Sequence, residues 1–155
     1  MSSFKEQYER VKRYLKRIQY GEQKDTTDYM DDLYSFFINC HHLKDWVKKD
    51  KSTRLTNDEV DDFVKSKLSL RICAALATAS KHATLGKIRQ KKNKIPQPRE
   101  NAQVTSRSVN VDLDKSRVFH ENTITLKDGS KHIAEKIAQQ AFDDWTRFLT
   151  IKKLI

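Results

Sequence analysis

Apolar residues recur at alternating steps of four and three along most of this chain, and that rhythm commits it to amphipathic helices. Phe4, Tyr8, Val11, Leu15 and Ile18 mark one side of a first helix, with Ser3 and Glu6 spaced as a capping box and Gly21 as a stop. Tyr29, Leu33, Phe36, Cys40, Leu43 and Val47 repeat the rhythm over about Thr27 to Lys49. Phe37 and Trp46 stand off that stripe, as expected of a helix buried on more than one side. Asp25, Asp28, Asp31 and Asp32 at its start and Lys48 and Lys49 at its end match the helix dipole. The aspartates lack the central Gly and closing Glu of an EF-hand loop.

Thr56 and Glu59 form a second capping-box pattern ahead of Val60, Phe63, Val64 and Leu68, with a break expected near Ser66 to Ser69. LSLRICAALATASKHATL, from Leu68 to Leu85, then reads as an Ala-rich helix suited to close packing and ended by Gly86. Residues 86–108 hold both prolines and no apolar period, which predicts an exposed loop. Val109, Val111 and Leu113, then Ile124 and Leu126 before Asp128-Gly129, alternate as a β-hairpin does. From Ser130 the helical period returns through Ile133, Ile137, Ala141, Trp145 and Phe148. The expected architecture is mainly α: one domain over residues 1–155, a four- to five-helix bundle with a small β-hairpin at about 108–127 inserted before the C-terminal helix.

Three Gly and two Pro in 155 residues argue against a Rossmann fold, a P-loop or a turn-rich β-sandwich. Seven Phe, five Tyr and two Trp supply enough apolar area for a core. No stretch approaches the roughly 18 apolar residues of a membrane helix, and the charged start lacks a signal-peptide run, so the expectation is a cytoplasmic protein without a membrane partner. Cys40 and Cys73 sit among apolar neighbours and read as buried free thiols.

The net charge of +10 is concentrated. Residues 64–99 carry Lys65, Lys67, Arg71, Lys81, Lys87, Arg89, Lys91, Lys92, Lys94 and Arg99 and no acidic residue. Residues 21–63 are net acidic, and the face of the first helix opposite its apolar stripe holds Lys12, Arg13, Lys16 and Arg17. A basic arm binds nucleic-acid backbones by releasing counterions, and these ten residues are the candidate nucleic-acid contacts. The loop GKIRQKKNKIPQPR contains no aromatic residue, which favours backbone contact over base stacking. A solvated surface is the competing reading.

Two constellations could carry chemistry. In NCHHLKDW, His41 and Asp45 are four apart and His42 and Asp45 three apart, so one carboxylate can reach either imidazole on a helix. That pattern serves a general base or a metal ligand or, more blandly, a hydrogen bond tying helices together. Arg71 and His82 are eleven apart, near three turns, and with Lys81 would place Arg, Lys and His on a phosphate. The catalytic candidates are therefore His82, Arg71, His42 and Asp45. No metal and no cofactor is called for, since neither H-x-x-x-H nor C-x-x-C occurs.

Across FFINCHHLKDW and LRICAALATASKHATL the chain resembles a group of small bacterial helical proteins that share an NCxHLKDW-type helix and an SKH-type motif. The likeness continues through DGS and FDDWTRFL, spanning most of residues 28–149. In architecture it is also similar to the HEPN superfamily, whose members include ribonucleases and non-catalytic proteins. That resemblance implies a helical bundle and a homodimer. Catalytic HEPN proteins carry an Arg followed a few residues later by a His; here Arg71 precedes His82 by eleven and Arg117 precedes His120 by three. The leading expectation is a non-enzymatic protein binding nucleic acid, RNA ahead of DNA, or an acidic partner, through residues 64–99. The rivals are a metal-independent ribonuclease and a protein-interaction module such as an antitoxin or defence-system adaptor.

Overall fold

Local capping and apolar spacing place the helices where the sequence puts them, and a computed structural model describes residues 3–20, 25–82, 103–112 and 117–155. Among these residues α1 spans Phe4–Gln19, α2 Thr26–Lys49, α3 Asn57–Ser66, α4 Leu68–His82 and α5 Ala134–Ile151, with a single 3-10 turn at Lys51–Thr53. The capping box of Thr56 and Glu59 is formed from both sides, at 3.1 and 2.8 Å. The expected box at Ser3 is not. Its hydroxyl accepts from Lys5 N–H, and Glu6 N–H goes to the Ser3 carbonyl. Asp50 substitutes from outside the helix: its Oδ2 accepts the otherwise orphaned Phe4 N–H at 3.2 Å.

The long α2 is the centre of the bundle, in contact with α1, α3, α4 and α5. Phe36, Leu43 and Val47 of its main stripe are fully buried, and so is Phe37, which accounts for one of the two apolar positions off that stripe. Truncating either phenylalanine to Ala costs about 3–5 kcal/mol in such a setting. Ala75 and Ala77 are buried on α4, where small side chains let it approach closely. The break between α3 and α4 falls at Lys67, as the sequence predicts. No helix among the described residues is long and apolar enough to cross a membrane.

The β-excursion is longer than its alternation suggests. β1 (Gln103–Asp112) pairs antiparallel with β2 (Arg117–Thr125), with a bulge between Val104 and Ser106. Residues 103–108, expected as loop, are therefore strand, and 86–102 and 113–116 lie outside the described residues. A third strand, β3 (Lys131–Ile133), occupies what the apolar period assigns to helix. The cause is the turn at Asp128-Gly129. Gly129 takes φ +85°, the left-handed region that favours glycine, and Leu126 N–H bonds the Ser130 carbonyl. The chain is folded back so that Lys131 pairs with Thr125, and α5 begins only after Ile133. Ile124 of β2 and Leu126 just beyond it join the helical core, where Ala134, Ala138 and Ala141 of α5 are also buried.

Candidate functional site

Four residues at steps of three, one and three, His42, Asp45, Trp46 and Lys49, share one face of α2 and line an open groove of about 820 Å³. Its other walls are Ser3 at the start of α1 and Asp50, Lys51 and Ser52 beyond α2. Asp50 builds this corner. While Oδ2 holds Phe4 N–H, Oδ1 accepts from the Ser52 amide and hydroxyl at 3.0 and 2.6 Å. Hydrogen bonds from the Ser52 side chain, then the Phe4 amide, hold this carboxyl below the usual aspartate range.

Trp46 is half-buried, less enclosed than a helix buried on more than one side implies, whereas Trp145 is 1% exposed. The Arg10 guanidinium lies 5.7 Å from the Trp46 ring centroid, within cation–π range, and donates to Gln7 Oε1 at 2.6 Å. Gln7, itself buried, donates to the Asn39 carbonyl, so a chain of contacts from α1 to α2 steadies that indole.

Neither imidazole of the His pair hydrogen-bonds Asp45. The two rings diverge, as adjacent helical positions must: His42 is exposed in the groove, and His41 turns inward against Cys40, Val64, Leu70, Cys73 and Trp145. Burial, aided by Lys44 and His42, lowers the His41 pKa to about 4. The imidazole is neutral at pH 7, and its Nδ1 is buried without a hydrogen-bond partner. The groove therefore keeps His42 and Asp45 of the catalytic candidates and loses the expected His–Asp bond. Cys40 and Cys73 are both free and fully buried, and burial followed by the Cys40 thiol pushes the Cys73 thiol up.

Arg71 stands elsewhere. Its Nη1 donates to the Lys65 carbonyl at 2.7 Å, closing the last turn of α3, and it is not among the residues lining the groove. α4 runs unbroken through His82, which satisfies the backbone condition for Arg71 and His82 to share a face. The side chains of Lys81 and His82 lie outside the described residues, as do Lys87, Arg89, Lys91, Lys92, Lys94 and Arg99. Lys65 is exposed and Lys67 half-buried. Among the described residues no group of three or more His, Cys, Asp or Glu is placed to hold a metal ion.

Two buried polar networks went unread in the sequence. Glu135 on α5 accepts from Tyr29 Oη of α2 at 3.0 Å and from the Asn122 amide and side chain of β2. Burial and the Glu135 charge push the Tyr29 phenol well above its ordinary pKa, and His120 stacks on its ring at 4.0 Å. Asp144 on α5 accepts from Ser69 at 2.7 Å and Gln140 at 3.0 Å. Only the i, i+4 spacing of Gln140 and Asp144 was there to be read; the other partners are brought together by tertiary packing.

Comparison of the chain with models of known protein families, with curated proteins and with solved structures returns no match.

Proposed function

We propose that this protein binds nucleic acid, RNA in preference to DNA, through the basic segment 64–99. The observation that carries the reading is the charge sequence itself: ten Lys or Arg and no acidic residue across that segment. Its start is consistent with such a surface, since Lys65 is exposed at the end of α3. Arg71 is a weaker contact than its spacing implied, because its guanidinium closes α3. Binding of this kind rests on phosphate charge, so it carries little base specificity and falls steeply with salt. The reading places the protein in the cytoplasm.

Fluorescence anisotropy with labelled mixed-sequence RNA and DNA at low ionic strength tests it, followed by a salt titration. Binding is expected, with loss on replacing Lys87, Arg89, Lys91, Lys92 and Lys94 together by Glu. No binding to either polymer overturns the reading in favour of an acidic protein partner. Light scattering in the same buffer reports whether the chain forms the homodimer that a HEPN-like bundle implies.

One observation favours a second reading, a metal-independent ribonuclease: His42 and Asp45 line the same groove as Lys49. RNA cleavage persisting in EDTA and lost in His42→Ala would support it. Cleavage unchanged when His41, His42 and His82 are all replaced would sink it.

A further inference from the structure

The basic segment 64–99 is not the molecule's one concentration of cations. Between Arg10 and Tyr20 the first helix carries Arg10, Lys12, Arg13, Lys16 and Arg17 and no acidic residue. Two of these are already engaged. Arg10 is held on Gln7 and Trp46, and Arg17 lies 3.6 Å from Asp32 and 5.0 Å from the Tyr14 ring centroid. Lys12, Arg13 and Lys16 form no ion pair or hydrogen bond with another side chain among the described residues, and Arg13 and Lys16 are exposed.

On the same face stands Tyr20, 71% exposed, the most exposed of the large apolar side chains described. At 100° per residue it projects between Lys16 and Arg13, directly opposite the buried stripe. An aromatic ring this exposed contributes nothing to the core, and no stacking partner covers it among the described residues. From Lys12 to Tyr20 the surface runs about 12 Å along the helix axis, room for two or three nucleotides of an extended strand. Duplexes keep their bases stacked inward, so a ring flanked by cations gains from a strand whose bases are unpaired.

We infer that the outward face of α1 is a single-stranded nucleic-acid contact, with Lys12, Arg13 and Lys16 on successive phosphates and a base stacked on Tyr20. The inference rests on the nucleic-acid reading and adds what the basic loop lacks, an aromatic platform. It converts a charge-only binder into one that discriminates single strands from duplexes.

The test compares the full chain with Lys12→Gln/Arg13→Gln/Lys16→Gln and with Tyr20→Ala, using a labelled twelve-nucleotide oligouridylate and an RNA duplex of equal length. Arg13, Lys16 and Tyr20 are exposed and Lys12 is half-buried, and circular dichroism verifies that the helices remain. The triple variant is expected to reduce the slope of log K against log salt by about 2 for the single strand. Tyr20→Ala is expected to weaken the single strand by about 5- to 150-fold and leave the duplex unchanged. If the parent binds and both variants match it, the α1 contact is overturned and the reading for residues 64–99 stands. Equal weakening of strand and duplex by Tyr20→Ala overturns the stacking role. If the parent binds neither probe, the underlying reading fails and the α1 contact with it.

Discussion

Glu135 holds Asn122 by both of its donors, the backbone N–H at 3.1 Å through Oε2 and the side-chain amide at 2.8 Å through Oε1. Asn122 is 2% exposed, so these bonds fix β2 against α5 in a place where water cannot substitute. Glu135→Ala should lower the urea unfolding free energy by about 2–4 kcal/mol with an unchanged m-value, since it leaves buried donors unpaired. Glu135→Gln should recover part of that loss by keeping one acceptor oxygen.

His41 makes stability pH-dependent. In the unfolded chain its imidazole titrates near the ordinary value of about 6.5, and in the fold near 4. Between those values the unfolded state binds the extra proton, so stability is full above pH 6.5 and falls as pH drops toward 4. The loss approaches about 3 kcal/mol, at about 1.4 kcal/mol per unit. Urea titrations from pH 7.5 to 4.5 on the parent and on His41→Met check this; the variant should show a flatter profile over that window.

The thiols of Cys40 and Cys73 should be inert in the native protein. Burial keeps Cys73 protonated, and both side chains are fully enclosed. An aromatic disulfide reagent should release nothing from the folded chain and react with both cysteines in denaturant. Rapid release under native conditions would show that the α2–α4 contact opens.

Lys153 is in the left-handed region, φ 57°, at the end of α5. Its amide bonds the Thr150 carbonyl and the Leu154 amide bonds the Leu149 carbonyl, the pairing of a Schellman motif that ordinarily uses glycine. Lys153→Gly should raise stability by about 1 kcal/mol, seen as a higher thermal midpoint.

Helix positions were legible because each depends on neighbours in sequence: Thr56 with Glu59, the stripe from Phe4 to Ile18, the break at Lys67. The strand at Lys131–Ile133 was not, because its three residues fit a helical period equally well and only pairing with Thr123 to Thr125 decides between them. His42 and Asp45 could be placed on one helix face in advance. That His41 would turn away into the core, and that Arg71 would be spent on a carbonyl of the preceding helix, depended on packing between elements. Tyr29, Asn122 and Glu135 lie on three elements and had no shared spacing to reveal them.

One carboxylate, that of Asp50, serves the first amide of α1 and the turn beyond α2 together. That side of the groove is thereby tied to a helix cap 46 residues away in sequence. Widening that side of the groove and releasing the first amide of α1 are therefore coupled through one carboxylate.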